Sequence, residues 1–147
     1  MKIAIASDHG GFELKQEINA QLKELGMEFE DFGPFDAGAV DYPDYGFKVA
    51  AAVADKSFDR GILICGTGIG ISIAANKVNG IRCALVHDVF SAEATRQHND
   101  SNILAMGGRV VGPGLARMIV KTWLETDFMG SHHAARIEKI ADYEKSH

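Results

Sequence analysis

Cysteine, threonine and three glycines stand together in Cys65-Gly66-Thr67-Gly68-Ile69-Gly70. A thiol at the N-terminus of a helix ionises more readily than a free one and can then act as a base or nucleophile. The glycines allow consecutive main-chain N–H groups to turn toward one point, where the helix dipole also favours negative charge. A base and a cradle for an anion are therefore expected side by side. A tight strand-to-helix turn needs glycine for its own geometry as well, so the loop acquires meaning from what surrounds it. The second cysteine, Cys83, reads as an inert small hydrophobe.

Other titratable groups follow short apolar runs: Asp8 and His9 in Ser7-Asp8-His9-Gly10-Gly11, His87-Asp88, and Arg109 in Gly107-Gly108-Arg109. His98 lies in Arg96-Gln97-His98-Asn99-Asp100, and Arg136 near the C-terminus. Each has a plain structural explanation when taken singly. Asp is a preferred helix N-cap, a histidine at a helix C-terminus is favourable with the dipole, and surface arginines commonly sit in ion pairs of little consequence. In open α/β sheets, however, ligands bind beyond the carboxyl ends of the strands. Convergence of these groups at that one end of a sheet is the expectation that would make them a site.

The elements able to position them alternate along the whole chain. Apolar runs predict strands at 3–6, 28–32, 61–65, 82–86 and 102–106. Helical patterns fall at 12–25, where Leu14, Ile18, Leu22 and Leu25 share a face, and at 44–54, opened by Pro43. Further helices are read at 70–77, 88–97, 112–125 (Leu115, Ile119 and Trp123 in register) and 133–144. Continuous apolar strands alternating with helices imply a parallel sheet covered on both faces, a three-layer α/β/α sandwich with right-handed crossovers. With 147 residues, 46% of them hydrophobic, one domain spanning 1–147 is expected, closed by C-terminal helices. The longest irregular segment, 33–41, is a candidate site-lining loop.

Composition narrows the classes of function. A net charge of -5 and a pI near 5.6 argue against a nucleic-acid grip, which needs excess Lys and Arg on one face. No apolar run approaches membrane-spanning length, and the N-terminal one is too short for a secretory signal. Two cysteines in apparent strands are not a disulfide framework. Cytoplasm is the expected compartment.

Three rival readings fail on spacing. A dinucleotide fingerprint, G-x-G-x-x-G, would need glycine at 71, where Ile71 stands. A phosphoacceptor module would need an acid after the third strand and a lysine after the fifth, in place of Cys65 and Gly107-Gly108-Arg109. Of the six histidines, His132 and His133 are adjacent rather than on one helical face, and no carboxylate–histidine pair has recognisable metal-site spacing.

Three long segments resemble the ribose-5-phosphate isomerase B family, which extends to allose- and galactose-6-phosphate isomerases: 7–15, 61–77, and 96–100 together with 107–112. The resemblance runs essentially end to end. It implies a Rossmann-like five-stranded parallel sheet of order 2-1-3-5-4, and no metal or cofactor. It also implies a homodimer, or a tetramer built from it, whose sites draw residues from both subunits and take a small sugar phosphate. It assigns roles as well: Cys65 as the proton-abstracting base, supported by Thr67, and His98 of the partner subunit opening the sugar ring with help from Asp8. The amides of Gly66, Thr67, Gly68, Ile69 and Gly70, joined by Asn99, correspond to the family's anion hole. His9, Arg109 and Arg136 fall on phosphate-binding positions, and Tyr42 on the sugar pocket. His132 stands where several members have Arg; histidine can donate to phosphate but lacks the permanent charge and planar fork of arginine.

Overall fold

A computed structural model describes residues 1–147. Its five strands are β1 (Lys2–Ser7), β2 (Glu28–Asp31), β3 (Arg60–Cys65), β4 (Cys83–Leu85) and β5 (Ile103–Gly107), all parallel in the order β2-β1-β3-β5-β4. Six helices alternate with and follow them: α1 (Phe12–Glu24), α2 (Tyr42–Ala54), α3 (Ile69–Asn76), α4 (Val89–Asn99), α5 (Pro113–Glu125) and α6 (His132–Ser146). A 3-10 turn, His9–Gly11, connects β1 to α1.

Period-two alternation along the strands divides the core between the faces of the sheet. Ile3, Ile5, Ile62, Ile64, Leu104 and Met106 pack with Leu14, Ile18 and Leu22 of α1 and Ile119, Val120 and Trp123 of α5. The other face carries smaller side chains, Ala4, Ala6 and Ala105 beside Leu63, and packs with Val49, Ala50, Val53, Ile71 and Ala75 of α2 and α3. Small residues bring α2 close. A Cβ on Gly61 would lie 2.5 Å from Val49 Cγ1, so a side chain there would push helix and sheet apart.

The observed boundaries differ from the sequence reading where side chains compete for the backbone. β4 runs from Cys83 to Leu85 rather than over 82–86, and at its start the Arg82 N–H is taken by the Asn102 side chain at 2.8 Å. α4 runs two residues beyond 97, to Asn99, and stops where Asp100 turns left-handed (φ 45°). α2 begins at Tyr42, just before Pro43, and β2 ends at Asp31. No helix is long and apolar enough to cross a membrane.

Candidate active site

β3 delivers Cys65 to the carboxyl edge of the sheet, where the thiol is buried at 5% exposure. Gly68, left-handed at φ +76°, turns the chain into α3 and donates its N–H to Cys65 Sγ at 3.1 Å. A donated N–H stabilises negative charge on sulfur. Burial pushes the thiol of Cys83 up to about 12, which keeps it protonated and unreactive.

The cradle is narrower than the sequence suggests. Gly68 N–H is spent on the sulfur and Ile69 N–H on Thr67 Oγ1 at 3.2 Å, so Thr67 closes a local turn at the start of α3 and makes no hydrogen bond to Cys65. The N–H groups of Gly66, Thr67 and Gly70 find no acceptor within the chain. They remain available to an external anion at a helix N-terminus.

Neighbouring loops wrap this turn closely. A Cβ on Gly10 would lie 3.0 Å from Gly66 N, and one on Gly108 2.7 Å from Gly10 O. Asp8 is buried and accepts Gly11 N–H at 3.1 Å, which leaves its second oxygen without a partner in the chain. The Arg109 guanidinium lies over Gly66, and the Tyr42 ring covers Gly70. His9, Gly10, Ala37, Gly108 and Arg109 line an open recess of about 240 Å³ beside them. Asp8, His9, Tyr42, Cys65, residues 66–70 and Arg109 thus form one group.

His98, Asn99, His132 and Arg136 do not join it, which corrects the expectation that all candidates converge at one end of the sheet. The physical reason is helix polarity: a crossover helix between parallel strands runs antiparallel to them, so α4 ends at the amino edge. Asn102, three residues after α4, accepts the N–H of Gly61 at the start of β3, at 2.9 Å. Gly61 and Cys65 are four residues apart on β3, about 13 Å at the usual rise, so the second group lies toward the opposite edge of the sheet from Cys65. There His98, Asn99, His133, Arg136 and Ile137 line a recess of about 260 Å³. The rings of His98 and His133 stack at 4.5 Å, with His132 tilted against His133 at 4.0 Å. Burial, then the neighbouring His132, His98 and Arg136, lower the pKa of His133 below its usual 6.5.

Two residues flagged in the sequence have structural work. Asp88 caps α4 by accepting Ser91 N–H at 2.7 Å, and His87 Nε2 accepts Gly107 N–H at 3.1 Å, holding the end of β5. One contact was not legible in the sequence, and one buried residue was passed over. His133 meets His98 only through the packing of α6 on α4. Lys15 is wholly buried on α1, and its signal was visible: a lysine three residues before Ile18 and seven before Leu22 lies along the apolar stripe.

A parallel Rossmann-like sheet with a thiol and free main-chain donors at its carboxyl edge defines an α/β scaffold of the kind that enzymes use. The chain belongs to the ribose/galactose isomerase family, whose model matches residues 3–140. It is 63% identical to a putative sugar phosphate isomerase of Bacillus subtilis, covering 99% of this chain and 98% of that one. It is 52% identical to ribose-5-phosphate isomerase B of Escherichia coli over 98% and 97% of the two chains. The solved ribose-5-phosphate isomerase B of Clostridium thermocellum superposes with a TM-score of 0.98 at 57% identity, covering 99% of each chain.

Proposed function

We propose that this chain interconverts ribose 5-phosphate and ribulose 5-phosphate, with Cys65 as the base. The observation that carries this reading is the Cys65 sulfur, buried at the strand end, 3.1 Å from a donated N–H and beside three main-chain donors without acceptors. Isomerisation removes the C2 proton of the open aldose and sends the electron pair onto the C1 oxygen. The proton on the C2 hydroxyl passes to the C1 oxygen, the abstracted proton returns at C1, and C2 becomes the carbonyl. A thiolate can take that proton, and fixed N–H donors can hold the oxyanion of the enediolate, each worth roughly 3 kcal/mol in such sites. His9 and Arg109, which line the same recess, hold the phosphate away from the reacting carbons, so its binding energy positions the sugar.

Ring opening needs an acid–base group, and His98 of the partner subunit supplies it with Asp8 nearby. The topology supports a shared site: one chain holds Cys65 and His98 at opposite edges of its sheet, and a two-fold dimer can bring each beside the other's complement. Asn99, His132 and Arg136 of the partner subunit then complete the pocket. Apolar Ile69, Ile73 and Leu85, each well exposed around the Gly68 turn, suit a surface that a second copy covers. The enzyme works in the cytoplasm, which suits a chain with no membrane-spanning helix. Ribose, allose and galactose phosphates offered separately test the assignment. Highest kcat/KM on ribose 5-phosphate, unaffected by exhaustive chelation, is expected, and preference for a six-carbon phosphate would reassign the substrate.

A further inference from the structure

Lys15 takes no part in the chemistry above, yet its ammonium is fully withdrawn from water. A buried charge persists only when paired and hydrogen-bonded. Its Nζ donates to Asp31 Oδ1 at 2.8 Å and to the carbonyl of Pro34, between the rings of Phe12 and Phe35 at 5.4 and 5.6 Å. Asp31 also accepts Gly33 N–H at 2.8 Å and the Asn19 amide at 2.9 Å. Gly33 O accepts Ser7 N–H at 3.1 Å. Lys15 therefore ties the start of the irregular segment 32–41 to α1, next to the point where Ser7 N–H ties Gly33 to the end of β1, one residue before Asp8.

The same segment reaches the anion recess farther on. Ala37 lines it, and Val40 N–H is donated to His9 Nδ1 at 3.3 Å. An Nδ1 that accepts a hydrogen bond carries no proton, so the ring proton of neutral His9 sits on Nε2. We propose that Lys15 is a positioning residue for the anion site: it pins the 32–41 segment, whose Val40 N–H holds His9 in the tautomer that offers Nε2–H to the substrate phosphate. The proposal rests on the isomerase reading for the identity of the anion, but its structural half stands independently of it.

Two-bond nitrogen–proton correlation spectra of labelled protein at pH 8 read the tautomer directly, with His9 assigned by the signal lost in His9→Gln. The wild type should show Nε2–H, whereas Val40→Pro, which removes the donor, should redistribute the proton toward Nδ1. Lys15→Met alone would strand Asp31, so the decisive variant is Lys15→Met with Asp31→Asn, which removes both charges. It should show the same redistribution, with KM for ribose 5-phosphate raised about tenfold and kcat within about threefold, the split expected when a binding contact is lost. His9→Gln, whose amide reaches the Nε2 position, should retain more affinity than His9→Asn. A wild-type ring protonated on Nδ1, or a tautomer unchanged in either folded variant, overturns the proposal. A wild type that turns over no sugar phosphate while the tautomer result holds overturns the isomerase reading alone.

Discussion

The proposed mechanism concentrates the chemistry in one atom, the sulfur of Cys65. Its position at the strand end is dictated by β3, but its usefulness depends on Gly68, whose left-handed turn aims an N–H at the sulfur. Cys65→Ala should fold normally, bind substrate and lose turnover by on the order of 10³-fold or more, as loss of a general base does; stopped assays with inhibitor titration separate the two. Near-normal turnover in a folded variant would remove Cys65 from the mechanism. The candidate role of Cys65 was legible because cysteine, threonine and three glycines adjoin in sequence. The partner of its sulfur was not, because which N–H points at it depends on the φ of Gly68.

At the level of elements, turns and caps set the geometry. A Cβ at Gly68 would lie 2.7 Å from the Met106 carbonyl carbon and 2.6 Å from Leu85 Cδ1, in a conformation side chains resist. Gly68→Ala should therefore cost about 1–3 kcal/mol of stability and most activity, by chemical denaturation and steady-state assay. The α4 cap is sensitive to pH. Hydrogen bonds from Ser91 backbone and side chain lower the Asp88 pKa below its usual 3.8. A depressed carboxylate contributes stability above its unfolded pKa and loses it as pH falls through the folded value. Asp88→Ala should lower the melting temperature at pH 7, with the gap to wild type closing below pH 3.8. A gap independent of pH would mean that the carboxylate charge is not what caps the helix. The existence of helices and strands was readable from apolar periodicity; the end of α4 at Asn99 and the start of β4 at Cys83 were not, and at β4 the reason is a side chain twenty residues away competing for the Arg82 N–H.

For the whole molecule, the proposed pairing of Cys65 with His98 across an interface requires a second copy. Cys65→Ala and His98→Asn should each be nearly inactive. Mixed and allowed to exchange subunits, random pairing places one intact composite site in each heterodimer, about a quarter of all sites. Recovery of roughly a quarter of wild-type activity is expected. No recovery despite proven subunit exchange would mean that the site does not combine those two residues across an interface.

Alternation of apolar strands with amphipathic helices was sufficient to determine the layered α/β architecture, because burial periodicity is local in sequence. The adjoining motifs carried the likeness to the isomerase family and with it the strand order. Tertiary structure alone decided which candidates meet. Parallel strands force α4 to end at the amino edge, so His98 and Arg136 part from Cys65 despite their matching chemistry. Likewise the links from Lys15 through Pro34 and from Val40 to His9 join residues 19 and 31 positions apart, and only the packed chain brings such pairs into contact.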